Sequence, residues 1–145
     1  MSKIFLTISA KISDFITMSF VTRFSKKRAH LLDLMKAGTF DHPSAAQVYE
    51  FMRKLYPNIS MGTVYRNLKF LTSNGDIALV GTVGDCERFD HNTDQHFHLV
   101  CQKCGKIMDV PIPANFMKTI NNSKEYNVSS MKVLLLGECS ECMQK

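Results

Sequence analysis

No apolar run in this chain approaches the length of about 20 residues that a membrane-crossing helix needs, and none of its 145 residues falls in a segment of low complexity. Nothing repeats except two short cysteine pairs, which excludes a solenoid or an array. A signal-peptide core is missing too. The opening MSKIFLTISAKISDF has a lysine and a short apolar run, but Lys11 and Asp14 break the stretch after that run. Ile4, Ile8, Ile12, Phe15 and Ile16 recur there at helical spacing. The expectation is an amphipathic first helix and a cytoplasmic protein.

An acidic excess is likewise absent. The chain has 18 Lys+Arg against 13 Asp+Glu, a formal charge of +5. Residues 1–85 hold eleven basic and six acidic side chains, residues 86–145 seven of each, so the whole excess lies in the first part. A localised basic excess fits a polyanionic partner, most simply nucleic acid; a solvated basic face is the plain alternative. The apolar content of 45% is ordinary for a folded chain. Two small halves would each have a marginal core, and a structural metal is a common remedy. Cytoplasmic cysteines stay reduced, so clustered pairs among the five cysteines favour metal over disulfides.

Along the chain, SKKRAHLLDLMKAG predicts a helix with Ser25 as N-cap, Leu31, Leu34 and Met35 on its apolar face, and Gly38 just past its end. HPSAAQVYEFMRKLYP predicts another, capped by Ser44, with Val48, Phe51, Met52 and Leu55 inward and Pro57 closing it. NISMGTVYRNLKFLTSNG comes next, with Ser60 as N-cap, Val64, Leu68 and Leu71 as its buried stripe and Gly75 as its stop. Two helices joined by a tight turn form a helix-turn-helix pattern. DIALVGTVGDCERFDH then reads as two strands around Gly84-Asp85, which completes a winged helix. Beyond a boundary near residues 85–93, FHLVC and GKIMDV read as strands, PANFMKTINN as a weak helix and VSSMKVLLLGEC as a last strand. The fold class is α+β, with a winged-helix domain over residues 1–88 and a small α/β domain over residues 89–145.

Cys101-x2-Cys104 and Cys139-x2-Cys142 lie 34 residues apart. Each CxxC turn can put two thiolates on one metal, and two turns complete a tetrahedral sulfur shell suited to Zn(II). Four thiolates leave no open position, so this site is expected to be structural. Cys86 stands alone and reads as a wing-strand residue. In DQHFHLVCQKCGKIMDV, His96 and His98 are two apart and share one face of a strand, while Cys101 has the opposite parity. One stretch can therefore serve a soft site and a harder one. Asp109 on the next strand and Asp90 before the loop are further donors. Two imidazoles with carboxylates favour Fe(II), Mn(II) or zinc, although scattered surface histidines give the same pattern.

The order TVYRNL, RFD, HFH, CQKCGKIMD and CSEC resembles the ferric uptake regulator (Fur) family, especially its peroxide-sensing branch, from about Arg23 to Cys142. The resemblance implies a homodimeric repressor of double-stranded operator DNA with a C-terminal dimerisation domain. It implies a regulatory Fe(II) or Mn(II) held by His42, Asp90, His96, His98 and Asp109, and it marks His42 and His96 as oxidation-sensitive. It agrees with base reading by Tyr65 and Arg66, whose neighbours Val64 and Leu68 are expected to bury, and with a minor-groove role for Arg23. Lys69 is a phosphate candidate. The sequence departs from the family at Lys26, where proline is common, and at Gln95 and Phe97, which replace ligand-type residues. Ser130 and Met131 stand where a further histidine often lies. The additional metal site of many members is therefore not expected, and Asp90 in place of Glu leans toward a peroxide sensor. Rival readings are a zinc deaminase, which needs a glutamate in an HxE pattern that His96-Phe97-His98 lacks, and a zinc-ribbon interaction module, which has no use for a recognition helix.

Overall fold

A computed structural model describes residues 25–144. The expected first helix and Arg23 lie outside the described residues. Three helices come first: α1 (Lys26–Lys36), α2 (Ala45–Leu55) and α3 (Met61–Ser73). The strands β1 (Ala78–Val83) and β2 (Cys86–Asp90) form an antiparallel hairpin. A second sheet, ordered β4-β3-β5, is built from β3 (Phe97–Cys101), β4 (Ile107–Val110) and β5 (Leu134–Gly137). Short helices α4 (Phe116–Ile120) and α5 (Ser140–Met143) complete the α+β fold.

Local chemistry accounts for most of these boundaries. Ser44 and Gln47 form a reciprocal capping box at the start of α2. The Ser60 hydroxyl accepts from the Thr63 amide at the start of α3. Ser25 has cap backbone angles but makes no side-chain cap bond. Gly75 comes just after α3 with φ +76°, a conformation that ends helices and suits glycine.

The first core gathers Leu31, Met35, Val48, Met52, Val64, Leu68, Leu71, Ile77 and Phe89. Arg28 ties α1 to α3: its Nε donates to Asn67 at 3.3 Å and its guanidinium lies 3.7 Å from the Phe70 ring centre. One expectation is corrected here. Leu55 is 46% exposed rather than inward. The buried stripe of α2 runs through Ala45, Val48 and Met52, with Tyr49 and Tyr56 packed beside it, so Leu55 falls on the flank. His30 is half-buried, and its Nδ1 lies 2.8 Å from the Tyr56 hydroxyl.

A bulge between Leu79 and Gly81 shifts the hairpin register. Val80, at the bulge, packs on Val100 and Ile107 of the second sheet, with Val83 alongside. The Lys132 ammonium donates to the Leu79 carbonyl at 3.0 Å. The hairpin therefore leans on the second sheet through a small apolar join. No helix among the described residues is long and apolar enough to cross a membrane.

Candidate metal centre

The cysteine pairs meet because β5 pairs in parallel with β3. That register sets Gly137 against Cys101, so the chain delivers Cys139 two residues later at the same end of the sheet. The first turn is closed by Gly105 N–H donating to Cys101 O at 2.8 Å, the second by Cys142 N–H donating to Cys139 O at 2.9 Å. Cys104 Sγ and Cys139 Sγ are 3.7 Å apart, and one sulfur from each of the four cysteines lies within 4.8 Å of the others. A tetrahedron of sulfurs about 2.3 Å from zinc has edges of about 3.8 Å, so the residues fit Zn(II). Backbone amides of Cys139 and Cys104 hold the Cys101 thiol down at about 6, while the neighbouring Cys139 sulfur pushes Cys142 up to about 12. Four adjacent sulfurs cannot all ionise without a cation among them, which is what Zn(II) would supply. Two ion pairs join the turns, Lys103 to Glu138 and Lys106 to Glu141, both at 3.0 Å. Cys86 is exposed on the hairpin, away from this cluster.

The second cluster draws on four places in the chain. His42 sits in the loop between α1 and α2 with φ +43°, rare for a residue with a side chain. That loop is bound to β2: Phe89 N–H donates to Pro43 O at 3.0 Å, Ser44 bridges to Arg88, and Arg88 donates to Gln47 at 2.8 Å. Asp90, 2% exposed, ends β2 on the same side. His98 on β3 is paired directly with Asp109 on β4, and His96 immediately precedes β3.

The polar tips converge. His42 Nε2 lies 2.8 Å from Asp109 Oδ1, His96 Nε2 2.9 Å from His98 Nε2, His96 Nε2 3.1 Å from Asp90 Oδ2, and His98 Nε2 3.3 Å from the same oxygen. Neighbouring donors bound at about 2.1 Å to one ion stand about 3 Å apart in an octahedral shell. Three imidazoles and two carboxylates at this spacing therefore fit a divalent N/O-bound metal. Burial holds His98 below the usual imidazole range, opposed by its bond to Asp90. That favours the neutral ring, the form a metal accepts. A cavity of about 250 Å³ opens beside His96 and His98, with Ser130 and Met131 among its lining.

The structure thus brings donor atoms of His42, Asp90, His98 and Asp109 within 4.8 Å of one another, with His96 touching His98, Asp90 and Asp109 at the edge of the group, and gathers all four cysteines at another point. Sequence reasoning passed over Asp41, whose carboxylate lies 2.8 Å from His42 Nδ1; adjacency to His42 was its one available signal. On α3, Tyr65 (49% exposed), Arg66 and Lys69 line a groove of about 410 Å³ that continues to Glu87 and Phe89 on β2. Arg66 Nη2 donates to Thr63 Oγ1 at 3.1 Å, and Val64 and Leu68 are buried beneath.

Comparison with known proteins bears on the family and the fold. The peroxide-responsive repressor PerR of Staphylococcus aureus (strain USA300) is 34% identical over 107 residues, 72% of each chain. The fold matches the Helicobacter pylori ferric uptake regulator Fur with a TM-score of 0.76 at 23% identity, covering 94% of both chains. It matches the Campylobacter jejuni peroxide stress regulator with a TM-score of 0.68 at 25% identity, covering 94% of this chain and 98% of that one. The model of the ferric uptake regulator family matches residues 20–135, and with both clusters and the winged helix in place, the chain belongs to that family.

Proposed function

We propose that this metal-responsive repressor senses peroxide. The observation that carries the reading is the meeting of His42, Asp90, His98 and Asp109, side chains from distant parts of the chain, in one cluster that His96 joins through Asp90 and Asp109. The likeness to the staphylococcal peroxide-responsive repressor supports it. In this reading Cys101, Cys104, Cys139 and Cys142 hold a structural Zn(II), and the five harder donors hold Fe(II) or Mn(II). Bound Fe(II) supplies one-electron reduction of peroxide, which Mn(II) does not readily supply.

The protein's own residues do the rest. His42 comes from the loop before α2, Asp90 from the end of β2, and His96, His98 and Asp109 from the second sheet and its lead-in, so the donor set ties the halves at one angle. That angle lets the two recognition helices of a homodimer meet successive major grooves of operator DNA. Tyr65 and Arg66 read bases, Lys69 meets phosphate, and Arg23 enters the minor groove. β5 supports dimerisation: it is an edge strand with Leu134 and Leu136 exposed. His42 and His96 are the oxidation-sensitive residues. One oxygen atom passes from peroxide to a ring, water is the other product, and the oxidised ring is a poor donor. The link between the halves then opens and DNA is released. The chain acts as a regulator in the cytoplasm and not as an enzyme.

Protein purified without air and loaded with Fe(II) should release DNA on mild peroxide treatment, with one oxygen atom gained on a His42 or His96 peptide by mass spectrometry. The Mn(II)-loaded form should keep both its DNA and its mass. Equal oxidation with both metals, or DNA release with oxidation confined to cysteines, refutes the reading and favours an iron- or zinc-responsive repressor.

A further inference from the structure

We infer that Asp41 is a positioning residue that fixes His42 as a metal donor and sets how tightly the harder site binds. The inference rests on the proposed metal-binding role of His42. The His42 ring is flanked on both sides. Its Nε2 faces inward, 2.8 Å from Asp109 and 3.9 Å from Asp90, and its Nδ1 faces outward, 2.8 Å from Asp41 Oδ1. A ring that gives one nitrogen's lone pair to a metal keeps its proton on the other. Here the acceptor waiting for that proton is the Asp41 carboxylate, which fixes the ring plane with Nε2 turned toward the cluster.

Asp41 is 72% exposed, and an exposed pair of this kind is ordinarily weak. The backbone distinguishes it. His42 stands at φ +43° and precedes proline, a position that favours extended backbone. The bond from Phe89 N–H to Pro43 O pins the next residue to β2. The loop is therefore held in a shape that leaves the ring between Asp41 and the carboxylates of Asp109 and Asp90. His96 is arranged in the same way with a weaker acceptor: its Nδ1 faces the Asp94 carbonyl at 2.8 Å, while its Nε2 points into the cluster. Only His42 has a charged outer partner among these two, and His42 is the donor that the loop before α2 contributes.

The test is calorimetric titration of Mn(II) into the zinc-containing full chain, comparing wild type, Asp41→Ala and Asp41→Asn. Asp41→Ala should weaken Mn(II) binding by about 10- to 100-fold. Asp41→Asn, whose amide oxygen still accepts from Nδ1–H, should keep most of the affinity. In the diamagnetic Zn(II)-loaded protein, a slowly exchanging His42 Nδ1 proton should be seen by NMR in wild type and Asp41→Asn and be lost in Asp41→Ala. Wild-type affinity in Asp41→Ala overturns the inference, and so does an equal loss in both variants, which would mark a charge effect alone. Failure of wild type to bind Mn(II) at all would instead bring down the metal-site reading and this inference with it.

Discussion

Single side chains divide into those that act by what they touch and those that act by being free to touch something else. Arg66 is of the second kind. Val64 and Leu68 are buried beneath it, and its one side-chain hydrogen bond among the described residues, to Thr63, is on the exposed face of α3. A guanidinium so presented can pair with both acceptors on the guanine edge, whereas the Lys69 ammonium nearby is a point charge suited to phosphate. Arg66→Ala should therefore cost about 1–3 kcal/mol on a specific operator and much less on random DNA. Lys69→Ala should weaken both alike and flatten the salt dependence. Fluorescence anisotropy on the two DNAs across a salt series separates the roles, and equal losses for Arg66→Ala would assign it to phosphate.

At the scale of elements, β5 depends on its cysteine turn. It is four residues long, pairs on one side only, and exposes Leu134 and Leu136. Such a strand has little of its own to hold it against β3. The thiolate cluster comes directly after it: Cys139 is buried at the start of α5, against Cys101 and Cys104 from the β3 end. Zinc-coupled folding in small zinc domains is worth on the order of 10 kcal/mol, so a zinc ion held by these four thiolates would be the main fastening of this edge. Cys104→Ser or Cys142→Ser should lose zinc, melt at markedly lower temperature and run as monomer. Metal analysis with calorimetry and sedimentation checks this, and normal melting and dimerisation in either variant would remove the structural role.

For the molecule as a whole, the question is what joins the halves. The apolar contact is modest: Val80 and Val83 from the hairpin against Val100 and Ile107 from the second sheet. Small interfaces of this kind allow relative motion. The other join is polar, from His42 and Asp90 on one side to His96, His98 and Asp109 on the other. Without a cation it is a crowd of imidazoles and two carboxylates. With one, each donor gains a common partner. His42→Ala should therefore keep zinc, fold and metal-independent DNA affinity while losing the gain in operator affinity on adding Mn(II). If operator binding still responds fully to Mn(II), the metal belongs to the second sheet alone and does not set the angle between the halves.

The sequence by itself determined whatever depends on neighbours in the chain. Ser44, Ser60 and Gly75 mark helix ends because capping and left-handed backbone are local chemistry. The turn at Gly84-Asp85, the paired cysteines and the shared face of His96 and His98 arise from periods of a few residues. The fold class was legible for that reason, as was the fact that two kinds of donor are present. Tertiary structure alone decided which of those donors share a point. The parallel register of β3 and β5 brings Cys139 to Cys101, and the antiparallel register of β3 and β4 sets Asp109 beside His98. The bond from Phe89 to Pro43 carries His42 across 67 residues to Asp109. Packing likewise turned Tyr56 inward and Leu55 outward, and gave His30 a hydroxyl partner. Asp41 became visible only with the direction of the His42 ring, because spacing in the chain says how far apart two residues are and register says which way each one faces.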